Sequence, residues 1–194
     1  VILAEGATSR EMVRNREKFK QDLSVLNLAA HKASEILGVS SLQLFNYPDN
    51  RMDSIDILDI IKKIENIIKD LNPNIIVTHH SNDLNVDHQI IHKAVITATR
   101  PEPGKYVQNI LSFEVPSATE WQSVNIGKHF IPNWFEDISD TLEIKIEALK
   151  AYKSEMKNWP HARSLESLEF LAKWRGSTIG VNAAEAFMLL RSIN

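Results

Sequence analysis

The sequence predicts an α/β fold with a mainly parallel sheet and helices on both faces. Short apolar, β-branched runs alternate with amphipathic helical segments through the first hundred residues, which is the pattern of βαβ units. Turn-forming residues punctuate that alternation at Gly6, Gly38 and Asn72-Pro73-Asn74. No repeat, low-complexity tract or linker interrupts it, so the 194 residues read as a single domain.

Residues 1–4 form an apolar run ended by Glu5-Gly6, a buried strand entering a loop. Residues 10–37 are helical in character, with Phe19, Leu23, Leu26, Ala30 and Ala33 recurring among charges, and Gly38 is the expected stop. Residues 42–45 read as a short strand, followed by the turn Tyr47-Pro48-Asp49-Asn50. Asp53 is a candidate cap for a helix over 57–71, whose Ile57, Ile60, Ile61, Ile64, Ile67, Ile68 and Leu71 form a stripe of helical period. Residues 75–77 are β-branched and predict a buried strand, 78–86 a polar loop, and 87–99 a helix stopped before Pro101.

The second half is less regular. Residues 109–115 suggest a strand, and 128–131 suggest one more weakly. Asp140 to Glu143 resembles a capping box opening a helix with Leu142, Ile146, Leu149 and Met156 on one face. Ser164 is a candidate cap for a last helix with Leu168, Leu171 and Ala172 facing inward and Gly176 just past its end. Residues 180–191 suit a strand or a helix.

Composition narrows the function. The formal net charge is −3, which argues against a dedicated nucleic-acid binder. Cysteine is absent, so disulfides, thiolate metal sites and a cysteine nucleophile are excluded, and a cytoplasmic location suits the chain. No apolar run reaches the roughly 18 residues that span a bilayer, so no membrane partner is expected.

Ligands of open parallel sheets sit at the carboxyl ends of the strands, which points to the loops 5–10, 46–53 and 78–88. The third is the richest in chemistry. Of seven histidines, His79, His80, His88 and His92 fall within it or just beyond, with Asp83 and Asp87 among them. Imidazole and carboxylate together suit Zn²⁺ and acid–base work. His88 and His92 are four apart and would share a helix face. The metalloprotease pattern, however, needs Glu after the first His, and Gln89 stands there. In the other reading, Asp87-His88 opens the helix, His88 is a metal ligand, Asp87 holds or tunes a neighbouring group, and His92 is an ordinary helix residue.

These residues resemble a known family. Thr78-His79-His80 through Asp83-Leu84-Asn85-Val86-Asp87-His88 looks like the second metal-site motif of the PIG-L/LmbE-like deacetylases. Four further stretches agree in order: residues 3–10, 47–53, 160–164 and 176–187. The resemblance implies a Rossmann-like fold and a zinc-dependent hydrolase that removes acetyl groups from N-acetylated sugars or their conjugates. It implies His88 as a metal ligand, with two further zinc ligands and the general base in an N-terminal Ala-His-Pro-Asp-Asp motif. That motif is absent from these residues and belongs upstream of Val1. By the resemblance the domain lacks its first strand and helix, and these 194 residues alone are expected to be inactive, with an exposed sheet edge.

Many members read His-Pro-Asp-His in the second motif, where Asn85 stands here. An amide donates to an oxyanion but cannot protonate a leaving amine. The catalytic candidates are therefore Asp87, Asn85, His79 and His80, the last two as possible acids.

Arg10 and Asp49 are candidate substrate contacts, for a phosphate or hydroxyl and for a sugar respectively. Glu185 is expected as a buried carboxylate paired with Arg10 or a backbone group, and His161 as a surface-loop residue. Trp121, Trp134, Trp159 and Trp174 are expected in core or interface packing. The expected partners are a small N-acetylated sugar and a second copy in a homo-oligomer. The competing function is a non-catalytic carbohydrate- or nucleotide-binding module on the same scaffold.

Overall fold

Hydrophobic periodicity builds five α-helices and six strands in the computed structural model, which describes residues 1–104, 107–123 and 127–194. In chain order they are β1 (Ile2–Ala4), α1 (Lys20–Ile36), β2 (Leu44–Tyr47), α2 (Ile57–Leu71), β3 (Ile75–His79), α3 (Val86–Ala98), β4 (Asn109–Phe113), β5 (Trp134–Asp137), α4 (Leu142–Lys150), α5 (Leu165–Ser177) and β6 (Ala184–Ser192). The chain divides into two compact units, one of Val1–Met52 with Asp137–Glu185 and one of Asp53–Glu136 with Ala186–Asn194. The fold is mixed α/β and mainly parallel, as the sequence predicts. Its strands, however, form a two-stranded sheet and a four-stranded sheet rather than one.

In the first unit β1 runs parallel to β2, with Ile2 opposite Leu44 and Ala4 opposite Tyr47. α1 packs against α4, and α4 against α5. The close approach of α1 uses small residues, since Ala29, Ala30 and Ala33 are its buried positions. Gly38 ends it with a left-handed φ of 66°, a conformation glycine adopts without a Cβ clash. Leu142, Ile146, Ala172 and Ala183 form a buried cluster.

Residues 11–19 are not helical, contrary to the periodicity over 10–37. Arg14 and Arg16 both turn back to the Glu5 carboxylate at 2.7 and 2.8 Å. Arg51 donates to the carbonyls of Glu11 and Met12 at 2.6 and 2.9 Å, taking acceptors that a helix would use internally. Met12 is left 93% exposed.

The second unit holds most of the four-stranded sheet, whose order is β3-β4-β6-β5. β3 and β4 are parallel and fully in register from Ile75 opposite Asn109 to His79 opposite Phe113. β4 and β6 are antiparallel. β6 resolves the open assignment of the tail as strand. α2 presents Ile60, Ile61 and Ile64 to the interior and packs on α3. Asn72 closes α2 in the left-handed conformation, its N–H donating to the Ile68 carbonyl at 2.8 Å. β3 is the outer strand of this sheet, and its Ile75 and Val77 are 48% and 46% exposed.

Several boundaries differ from expectation. The cap of α2 is Asp56, whose carboxylate accepts the Leu58 N–H, while Asp53 sits in a 3-10 turn. α4 starts after Thr141 with no side-chain cap, so Asp140 and Glu143 form no capping box, and Met156 lies beyond the helix. Residues 128–131 are not a strand. Pro132 has no N–H to offer a ladder, and the strand begins at Trp134.

Ser164 caps α5 by accepting the Ser167 N–H at 3.0 Å, as expected. Gly176 lies inside α5 rather than past it. A Cβ there would meet the Ala183 backbone and the Val181 carbonyl at 2.7 Å, so the residue is glycine for close packing. Trp121, Trp159 and Trp174 are exposed rather than packed in a core. Glu185 pairs with Lys145, not with Arg10.

Candidate functional site

The site is assembled where β3 ends and α3 begins. β3 runs two residues further than the β-branched run suggests, so Thr78 and His79 belong to the strand. His79 faces Phe113 across the ladder, with ring centroids 4.9 Å apart. The chain then turns through 80–85 and enters α3 at Asn85. The Asn85 side-chain oxygen accepts the N–H groups of Asp87 and His88 at 2.9 and 3.4 Å. This is an N-cap, and it sets the direction in which the first turn of α3 presents Asp87 and His88.

His88 is held from two sides. Its ring stacks on His79, with centroids 4.0 Å apart and planes inclined by 15°. Its Nδ1 lies 3.1 Å from Oδ1 of Asp83, close enough for an ion pair though off the line of an ideal hydrogen bond. The Asp83 carboxylate is fully buried, and it accepts the Asn85 N–H at 2.9 Å and the Thr119 hydroxyl at 2.8 Å. The Asp83 carbonyl receives the side-chain amides of Gln89 and Gln122 at 2.5 and 3.3 Å. Burial alone would raise the Asp83 pKa, but the nearby His88 ring and the hydrogen bonds from Asn85 and Thr119 outweigh it and keep the pKa below the usual value.

His80 and His92 are engaged by backbone carbonyls. His80 is buried, its Nε2 lies 2.9 Å from the Lys128 carbonyl, and its ring meets the Phe130 ring edge-on. His92 Nδ1 contacts the His79 carbonyl at 2.8 Å, so His92 braces the strand end. Burial pushes its pKa down. Burial, and then the neighbouring His88, hold His79 at a pKa of about 3, so its ring is neutral at physiological pH. His79 Nδ1 is buried without a hydrogen-bond partner.

Arg10 and Asp49 lie in the first unit, whereas His79, His80, Asn85, Asp87 and His88 lie in the second. Arg10 reaches Glu155 at 3.1 Å and Asp22 at 3.7 Å. Asp49 accepts the Ser9 N–H and hydroxyl at 3.3 and 2.6 Å, which ties the loop after β1 to the loop after β2. His161 Nδ1 accepts the Arg163 N–H at 3.0 Å.

Two contributions escape sequence reasoning. Asp83 stands beside the His88 ring. Its position two residues before the cap is the only local signal, because Asp readily accepts N–H groups at helix entries. Thr119 comes from the turn after β4, and nothing near His88 in the sequence points to it. Among the described residues there is no group of three or more His, Asp or Glu able to hold a metal ion. The donor set fits one histidine ligand braced by a carboxylate.

The model of the PIG-L family, described as GlcNAc-PI de-N-acetylase, matches residues 1–99, just over half of the chain. A probable N-acetyl-alpha-D-glucosaminyl L-malate deacetylase 2 of Bacillus cereus is 25% identical over 146 residues. That match covers 73% of this chain and spans 64% of the relative's length. The fold is similar to that of the conserved protein TT1542 from Thermus thermophilus, with a TM-score of 0.70 at 17% identity over 99% of this chain and 80% of that one. It is also similar to N,N'-diacetylchitobiose deacetylase from Pyrococcus horikoshii, with a TM-score of 0.66 at 17% identity over 87% of this chain and 64% of that one. The 4-carboxy-2-hydroxymuconate hydratase GalB of Pseudomonas putida shares the fold at a TM-score of 0.73 and 20% identity, over 99% of this chain and 83% of that one.

Proposed function

The chain belongs to the PIG-L family, and on that premise we propose that it acts in a metal-dependent hydrolase removing an acetyl group from an N-acetylated sugar or sugar conjugate. The observation that carries the reading is the buried Asp83 carboxylate 3.1 Å from His88 Nδ1. A carboxylate in that place favours the Nδ1–H tautomer and leaves the Nε2 lone pair for a metal. The family description and that of the Bacillus cereus relative support the substrate class.

The proposed metal is zinc, which when bound supplies a water of lowered pKa and polarises the amide carbonyl. A catalytic zinc normally takes three protein ligands, of which His88 is one. The proposal assigns the other two to the family's N-terminal Ala-His-Pro-Asp-Asp motif, which these 194 residues do not contain.

The chain's own residues take distinct parts. Asn85 spends its side-chain oxygen on the cap of α3, so its NH₂ is the group it can offer to an oxygen gaining charge. Neutral His79 is a hydrogen-bond donor at physiological pH rather than a source of protons. Asp87 places a buried carboxylate in the first turn of α3, where the helix N-terminus stabilises negative charge. His80 supports the loop through Lys128. Arg10 is assigned to a substrate phosphate or hydroxyl, and Asp49 to a sugar.

Acetate release tests the reading. A chain with the Ala-His-Pro-Asp-Asp segment joined ahead of Val1 is loaded with zinc and offered N-acetylhexosamines and their nucleotide conjugates. Acetate from at least one is expected. No acetate from any, with zinc bound, contradicts the proposal.

A further inference from the structure

We infer that Thr119 is a positioning residue for His88, acting through Asp83; the inference rests on the reading of His88 as a metal ligand. A carboxylate rotates broadly about its terminal torsion, so one contact does not fix its plane. Oδ1 of Asp83 is shared between the Asn85 N–H at 2.9 Å and His88 Nδ1 at 3.1 Å. Oδ2 is held by the Thr119 hydroxyl at 2.8 Å. The three contacts together set the carboxylate plane, and the plane sets which ring nitrogen of His88 is protonated.

Thr119 is itself oriented. Its hydroxyl oxygen accepts the Val115 N–H at 2.7 Å, so its only proton is directed to Asp83. Its own N–H donates to the Val115 carbonyl at 2.9 Å, closing a turn just after β4. The same turn takes the Leu84 N–H on the Ala118 carbonyl at 3.3 Å, a second tie between this turn and the loop that carries Asp83. Asp83 is fully buried, so no bulk water substitutes for a lost donor. Without the hydroxyl, Oδ2 is left charged and unpaired, and turning the carboxylate to find another donor draws Oδ1 away from His88.

The test reads the His88 tautomer in the metal-free, substrate-free chain. Histidine is labelled with ¹⁵N, spectra are taken at alkaline pH where imidazoles are neutral, and the His88 signals are assigned by their loss in His88→Gln. Wild type and Thr119→Ser, which keeps the hydroxyl, are expected to show a single Nδ1–H tautomer. Thr119→Val, which keeps the shape but not the donor, is expected to shift to a mixture with Nε2–H.

A folded Thr119→Val chain that keeps the wild-type tautomer overturns the inference. So does a wild type dominated by Nε2–H, or a Thr119→Ser chain that loses the single tautomer, and neither of these needs Thr119→Val to fold. Failure of the metal reading is separate: it leaves these tautomers as expected while His88→Ala leaves zinc binding unchanged.

Discussion

The buried Asp83 carboxylate pairs with the half-buried His88 imidazole, Oδ1 to Nδ1 at 3.1 Å, five residues apart and on opposite sides of the helix cap at Asn85. The loop from β3 to α3 exists in this shape because Asp83, Asn85 and Thr119 each satisfy a neighbour's polar group. Asp83→Asn keeps the volume and removes the charge. Its expected effect is a loss of about 10- to 100-fold in the zinc affinity of a chain carrying the full ligand set. A metal titration against a competing chelator measures it.

Asn85→Ala removes the cap of α3. The expected cost is about 1 kcal/mol of stability, with Asn85→Asp retaining most of it, because a carboxylate accepts the same N–H groups. Urea unfolding of the three chains checks the order. An Asn85→Ala chain as stable as wild type would mean that the cap contributes nothing.

The Glu5 carboxylate gives an acid limb to stability. Its side chain is 2% exposed. Burial raises its pKa, but hydrogen bonds from Arg14 and Thr8 and the charges of Arg14 and Arg16 outweigh it and hold the carboxyl below its usual range. The contribution is therefore complete above the unfolded value and is lost as pH falls through the folded one. Unfolding measured between pH 6 and pH 3 is expected to show wild type losing more stability than Glu5→Gln over the acid half of that range. Parallel curves would remove Glu5 as a contributor.

Gly176→Ala puts a methyl 2.7 Å from the Ala183 backbone and the Val181 carbonyl, where no flexible side chain can give way. Destabilisation of about 1–3 kcal/mol is expected, read as a lowered midpoint in thermal unfolding. An unchanged midpoint would show that α5 can move away from the 181–183 segment at little cost.

Arg10 is half-exposed and its pairs with Glu155 and Asp22 are screened by water. Arg10→Ala is expected to change stability by less than about 1 kcal/mol. If Arg10 contacts substrate, KM rises with kcat preserved. An unchanged KM in the acetate assay returns Arg10 to a purely structural role.

The parts of this fold legible in the sequence are those set by local chemistry. The isoleucine stripe marks α2, Asn72 and Gly38 mark helix ends, and Ser164 marks the start of α5. The rest depends on distant partners. Residues 11–19 carry helix-forming charges, yet Glu5 and Arg51 take their side chains and carbonyls. β6 reads as strand only once β4 supplies its ladder. At the site, His88 was legible from its motif and its place after a buried strand, and the cap at Asn85 gives it direction. Asp83 as its brace was not, because the contact depends on how the loop from β3 to α3 folds back. The partner of Glu185 was illegible for the same reason, since Lys145 lies on another element.

Zinc stoichiometry decides whether His88 binds the catalytic metal. Wild type and His88→Ala are each measured with the Ala-His-Pro-Asp-Asp segment joined ahead of Val1, after dialysis against zinc and removal of loose metal. One zinc per wild-type chain is expected, and none per His88→Ala chain with its fold intact. One zinc retained by His88→Ala would contradict the assignment of His88 as a ligand.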